Sequence, residues 1–509
     1  MDELVLTLNI GTYSCEVIVF NELGEILIKR AKNLIMENPY PYFYEQDPKE
    51  WIRILKELTQ EISRKIDLKN VRMICLTGHT QSLLLADSNL NPLTKCILWL
   101  DQRGFNEFYM LRRSLRARKL YELTGIKLDI TVPLCKLLWV KRLKPKLFKK
   151  ISRIYFSPKD YLIELFTGQY ATDYPTASTT GFLNIYRKIW EREVLDIVKI
   201  DESVLPKLVN AHEVIGILSE EAAKILNVKA GTPVTIGAAN VITYALGAGV
   251  TDEGQVADST VVSEVVSVPI EEPLLDPLQR IDCVIHALPN KWLIVGAMMT
   301  SGAIIQWAIK NIIEDNSFNV ELIDKYVEQC SPGARGLIVL PHFMGERTPY
   351  WNPKARGVIL GLTLNHGKEH LVRALIESIG FGVKSIIEVF GELGLSINEI
   401  RIIGSWALSK TLRKVKADIL GIKVVTPKYT EAACVGACIL GLVGEGYYKH
   451  IEDAIKNIVK INEITYPDPG RKVFYEKMYE VYRKAYCNLI EIFEELSNIT
   501  EEFLSLIHI

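Results

Sequence analysis

A chain of 509 residues exceeds what one hydrophobic core supports, so two or three domains are expected. Its 60 Lys and Arg nearly balance 61 Asp and Glu, and a net charge of −1 excludes the basic excess of a nucleic-acid binder. A composition of 48% hydrophobic and 24% charged residues excludes a disordered or collagen-like chain.

The acidic start MDELVLTLNIG runs directly into strand pattern, and no signal peptide is expected. The opening reads as three strands, LVLTLNIGT, CEVIVFN and ILIKRAKN, with ELGE (22–25) as a turn. A helix is expected in DPKEWIRILKELTQEISRKI, with Asp47 as N-cap and Pro48 in its first turn. Strands follow in VRMICLTGHT and SLLLADSN, then a mostly helical stretch from Phe105 to about Ile163. Within it, KRLKPKLFKK (141–150) reads as a solvated helix end. The run TPVTIG leads into the helical spacing of ITYALGAG, a strand-to-helix junction whose one polar candidate is Asn240.

Beyond residues 246–254, where a domain boundary is expected, the pattern restarts. GQVADSTVVSEVVSVP, DCVIHALP and KWLIVGAM alternate as strands, and a helix opens at Ser301. The apolar stretch 293–309 is broken by Thr-Ser-Gly and reads as strand, turn and helix rather than a membrane span. Strands GLIVLPHF and GVILGLT, a long helix over about 369–390, strand IRIIGS, helix TLRKVKADIL, strand KVVTP and helix EAACVGACILGLV complete the order. The tail from about Lys472 reads as one long helix. Nine cysteines stand mostly alone in apolar runs, without a C-x-x-C pair, and read as core residues of a reducing cytoplasm.

Several stretches carry chemistry. NIGTYS puts Gly11, Thr12 and Ser14 at a turn that either cradles a phosphate or closes a plain hairpin. In ILWLDQR, Asp101 and Arg103 stand two apart on an extended chain, facing a polar ligand together or forming a surface ion pair. YATDYPTASTTGFLNI is a hydroxyl-rich loop, and GERTPYWNPKARG concentrates turn residues beside a strand. IIGSWALS ends a strand at Gly404 and opens a helix, the setting in which backbone amides meet phosphates.

Together LNIGTYS, ILWLDQR, TDYPTASTT, GERTPYWNPKARGVILGLT, IIGSWALSKTLRKVKADILGIKV and EAACVGACILGLVGEGYY resemble the FGGY carbohydrate kinases in order and spacing. That family includes xylulokinases, gluconokinases and glycerol kinases. The resemblance extends to about residue 450. It implies an α/β fold of two actin-like, ribonuclease H-like domains flanking a central cleft and closing over sugar and Mg-ATP. The expected division is 1–250 for the sugar side, 251–460 for the nucleotide side and 461–509 as a helical extension. A small sugar or polyol is the expected partner, with no nucleic acid and no membrane, and homo-oligomerisation stays open.

The chain departs from the family pattern where phosphoryl transfer is carried out. The family's metal-associated aspartate before the first Gly-Thr is Asn9 here, and its catalytic aspartate falls on Asn240, with Val241 beside it. The second phosphate hairpin carries Val261 and Val262 in place of Gly-Thr, and the adenosine loop reads Gly404-Ser405-Trp406. Loss of a general base costs about 10²–10⁴ in rate, and Mg²⁺ sites rely on one or two carboxylates. On the sugar side Trp99, Asp101 and Arg103 keep the family pattern, and Gln81 stands where relatives touch the acceptor. Asp258 is read either as a substitute base or as a structural partner.

Overall fold

The computed structural model describes residues 3–113, 116–315, 317 and 319–507. Two compact units divide the chain. The first holds 1–251, 269–294 and 431–460, and the second holds 252–268, 295–430 and 461–509.

Strands β1 (Leu4–Ile10), β2 (Ser14–Phe20) and β3 (Ile26–Asn33) form the expected antiparallel meander. β1 is buried along its whole length, because it is central: the order is β5-β6-β4-β1-β2-β3, with β4 Val71–Gly78, β5 Val214–Ile217 and β6 Pro233–Ala239. β4 runs parallel to both β1 and β6, which accounts for its nearly continuous apolar run. Helix α1 (Pro48–Ser63) starts where expected, with the Asp47 side chain accepting from Lys49 N. The stretch 105–163 is less uniformly helical than its sequence suggests. α2 (Pro133–Leu143) and shorter helices are interrupted by strand Arg153–Tyr155, whose β-favouring RIY pairs with 84–86.

The second unit repeats the grammar. Here β7 (Gln255–Thr260), β8 (Glu264–Ile270), β9 (Trp292–Met298), β10 (Glu399–Ile403), β11 (Lys423–Pro427) and β12 (Ile461–Thr465) supply six strands of a seven-stranded sheet, in the order β9-β8-β7-β10-β11-β12. In both sheets an antiparallel hairpin is followed by two parallel strands and closed on that side by an antiparallel edge strand.

Two close backbone approaches position the first unit's junction. Gly237, at φ 64° in a register shift of β6, lies so near Leu76 O that a Cβ would sit 1.9 Å from it. Helix α3 (Asn240–Ala248) crosses α7 (Ala432–Gly444) through Gly247 and Gly436, where added Cβ atoms would meet backbone oxygens of Ala432 and Thr243 at 2.0 and 2.2 Å. Only glycine permits such contact. The second unit contains α4 (Gly302–Ala308), α5 (Lys368–Glu392), α6 (Lys410–Leu420) and the tail helix α8 (Lys472–Ile507). Among the described residues, no helix is long and apolar enough to cross a membrane.

Candidate active site

In the first unit, Asn9 of β1 pairs across to Glu16 on β2 and to Thr77 on β4, so the three side chains share one face of the sheet. Asn9 Nδ2 donates to Glu16 Oε2 at 2.9 Å, and Asn9 Oδ1 is buried without a hydrogen-bond partner. Thr77 Oγ1 lies 2.8 Å from Asn240 Oδ1, 2.8 Å from Ala238 O and 3.0 Å from Thr243 Oγ1. Asn240 is the first residue of α3 and is fixed there as an acceptor. An amide oxygen so held accepts a hydrogen bond without the proton affinity of a carboxylate.

Glu16 is a site residue that sequence reading passed over; its only signal was an acidic residue among buried strand positions. Burial pushes its carboxyl above the usual range against the hydrogen bond from Asn9, and the Glu431 carboxylate adds to the rise. Glu431 itself pairs with Lys29. Carboxylates therefore stand beside the turn to which the resemblance assigns phosphates. The turn is also committed internally: Gly11 N donates to Ser14 O at 2.8 Å, Trp99 Nε1 to Thr12 Oγ1 at 2.9 Å, and Gln46 Nε2 to Thr12 O at 2.7 Å.

Asp101 and Arg103 are not a surface pair. They face each other in the interior, through Nε to Oδ1 at 2.9 Å and Nη2 to Oδ2 at 2.8 Å. Tyr44 N fills a further carboxylate position at 2.7 Å, and Arg103 also reaches Glu45 at 2.7 Å beneath Phe43 and Trp139. Such a bidentate pair fixes the loop geometry. Gln81 takes left-handed backbone at φ 57° and donates through Nε2 to Thr179 O at 3.0 Å. Strain of this kind clusters at functional sites.

The buried Lys136 of α2, a second residue missed from sequence, donates to Gln81 O at 2.9 Å and Leu98 O at 2.6 Å. Burial pulls its ammonium down to about 7. Its signal was a lysine within the apolar run PLCKLLWV. The hydroxyl-rich loop joins these pieces: Thr179 Oγ1 lies 2.6 Å from Thr80 Oγ1, and Thr176 Oγ1 accepts from Ala239 N, next to Asn240, at 2.9 Å.

In the second unit, Val261, Val262, Gly404 and Trp406 come together around Gly302. A Cβ on Gly302 would lie 1.8 Å from Val261 O and 2.5 Å from Trp406 Cδ1. Gly404, at φ 92°, presses on Thr260 O and Val261 Cγ2, both 2.7 Å from a built Cβ. Trp406 is 1% exposed, within the short turn Ser405–Leu408. The first amides of α4 are taken: Ser301 N and Ala303 N donate to Val262 O at 2.9 and 3.1 Å.

Beneath this hairpin the fully buried Lys416 of α6 donates to Asp258 Oδ2 at 2.6 Å, to Thr260 Oγ1 at 2.8 Å and to Glu264. Burial, reinforced by Glu264, pushes Asp258 well above the carboxylate range. Asp258 thus faces the core as a hydrogen-bond partner of Lys416, not a cleft as a substitute base.

These residues do not fit Mg-ATP. An amide stands at Asn9, the half-buried Val261 and Val262 bring no hydroxyl to the hairpin tip, and the indole of Trp406 covers Gly302. Among the described residues no group of three or more His, Cys, Asp or Glu is arranged to hold a metal.

Comparison with known proteins relates this site to a lineage. Gluconokinase of Bacillus subtilis is 29% identical over 98% of this chain and 97% of its own. Xylulose kinase of Staphylococcus epidermidis is 28% identical over 98% and 99%. The crystal structure of gluconate kinase from Lactobacillus acidophilus superposes with a TM-score of 0.89 at 25% identity, covering 97% of this chain and 100% of that one. The two sheets are therefore those of actin-like, ribonuclease H-like domains. Family models for the N-terminal and C-terminal domains of the FGGY carbohydrate kinases match residues 4–247 and 263–445, and this chain belongs to that family.

Proposed function

We propose that this chain is a family member that binds a sugar, polyol or sugar acid and in which ATP-dependent phosphorylation of that ligand is lost or greatly weakened. The observation that carries this reading is Asn240, held by Thr77 where general-base catalysis needs a carboxylate. Phosphoryl transfer depends mainly on positioning and charge stabilisation, and the acidic Glu16 beside Asn9 opposes both for a polyanion. The acceptor side supports retained binding: Gln81, Asp101 and Arg103 are each fixed by hydrogen bonds before any ligand arrives.

The covering of Gly302 by Trp406 favours a second reading, a non-catalytic sugar-binding or regulatory protein without nucleotide affinity. Gluconate and xylulose, named by the relatives, are the first ligands to test. In a coupled assay, acceptor-dependent ADP release is expected to stay at the blank, while calorimetry with the same acceptors gives heat and Mg-ATP gives none. ADP release well above blank that is lost in Gln81→Ala would restore the plain kinase. Micromolar Mg-ATP binding without turnover would leave the first reading and remove the second.

A further inference from the structure

Lys136 is fully buried, and its hydrogen bonds run to two backbone carbonyls, Gln81 O at 2.9 Å and Leu98 O at 2.6 Å. The nearby Asp101 carboxylate is already taken by Arg103 and by Tyr44 N. The two carbonyls belong to the two segments that carry the acceptor-side residues, one with Gln81 and the other with Asp101 and Arg103. These segments meet in a single antiparallel bridge, Leu83 N to Ile97 O at 2.8 Å and Ile97 N to Leu83 O at 2.9 Å. The ladder does not continue past it, since Gln81 turns left-handed at φ 57°. Backbone carbonyls buried at such a break need a donor from elsewhere, and Lys136 supplies one to both chains. One turn further along α2, Trp139 lies over the Arg103 guanidinium, its ring centroid 5.1 Å away. Residues three apart share a helix face, so one face of α2 holds both segments.

The residue type matters here. Burial pulls the Lys136 ammonium down to about 7, against the attraction of Asp101. A methionine would fill the same space with no charge to desolvate. It could not donate a hydrogen bond.

We infer that Lys136 is a positioning residue of the acceptor site: its ammonium ties Gln81 O to Leu98 O and so fixes the Gln81 turn and the Asp101–Arg103 loop against each other before a ligand arrives. The inference rests on the acceptor binding proposed above. Lys136 acts through the backbone that it holds, because its side chain is closed off from solvent.

Two replacements separate donating from filling. Lys136→Met keeps most of the volume and loses the donor. Lys136→Ala loses both, and n-propylammonium added to it returns the missing atoms together with the charge. In calorimetry of the full chain with gluconate and xylulose, the dissociation constant of whichever binds should rise at least about tenfold in Lys136→Met. Lys136→Ala should weaken binding at least as much, with affinity partly returned by n-propylammonium and not by 1-propanol at the same concentration. Hydrogen exchange without ligand reads the loops themselves. Segments 78–84 and 96–103 should exchange at least about tenfold faster in Lys136→Met, while β1 keeps the parent's rate. Should Lys136→Met not fold, Lys136→Ala with and without n-propylammonium carries both measurements. Parental affinity in Lys136→Met, equal rescue by 1-propanol, or unchanged exchange in both segments would each overturn the inference. If the parent itself bound neither sugar, the acceptor reading would fall, and the exchange comparison would still decide whether Lys136 sets the two loops.

Discussion

Asn240 and Asn9 differ from carboxylates by one atom each, yet the two substitutions are not equally reversible. Thr77 can donate to a carboxylate as readily as to an amide, so Asn240→Asp fits its surroundings. Asn9→Asp instead places a second carboxylate where Nδ2 now donates to Glu16 at 2.9 Å, replacing a hydrogen bond with like-charge repulsion. A general base is worth roughly 3–5 kcal/mol of barrier, and only when nucleotide is held. Asn240→Asp alone is expected to raise ADP release by less than about tenfold. Asn9→Asp should be tolerated only together with Glu16→Gln, and the triple variant should exceed the product of its parts. Near-complete activity from Asn240→Asp alone would mean that the second unit accepts nucleotide as it stands.

The β7–β8 hairpin shows why a loop cannot be restored by exchanging its tip. Lys416 beneath it is the one cation facing Asp258 and Glu264 in the triad, and removing one partner of a buried pair strands the other charges. Lys416→Met is expected to destabilise the second unit by about 3–5 kcal/mol, read by urea titration. Adding Asp258→Asn and Glu264→Gln should return most of that loss. If Lys416→Met were neutral, the triad would not hold the hairpin. Trp406→Gly likewise removes a filled core position, at a cost of about 3–5 kcal/mol.

The strands and helices around these groups were legible because period-2 and 3.6-residue patterns are local, and α1 carried its own cap in Asp47. The family segments also implied the two-domain plan and singled out Asn240. The buried charges were not legible. Lys416 is one of three basic residues in TLRKVKADIL, and only the hairpin packed against α6 gives it Asp258 and Glu264 as partners. Glu16 and Lys136 are the same case, and the closing of Asp101 onto Arg103 depends on backbone from Tyr44, far away in sequence.

For the whole molecule, acid sensitivity should differ between the two units. Burial pulls His79 and His286 in the first unit, and His342 in the second, down to about 3. Nearby Lys136 and Lys291 add to the effect at His79 and His286 respectively. An unfolded histidine titrates near 6.5, so between pH 6.5 and 3 the unfolded chain holds protons that the native chain does not. Stability then rises with pH through that window and is lost as pH falls from 6.5 toward 3, by up to about 1.4 kcal/mol per pH unit for each histidine. The histidine contribution is thus about 2.7 kcal/mol per pH unit in the first unit and about 1.4 in the second. Lys136, drawn down to about 7 by burial, acts with the same sign on the alkaline side. It faces Asp101, Cys96, Arg103 and Asp129, and its share of the first unit's stability rises from about pH 7 toward 10. Urea titrations at pH 7, 6 and 5, read peptide by peptide with a hydrogen-exchange pulse at one fixed pH, separate the units. The first unit should weaken faster on acidification, His79→Gln/His286→Gln should flatten its slope alone, and His342→Asn should flatten only the second. Equal slopes that none of these variants changed would mean that the three imidazoles are solvated and charged in the folded protein.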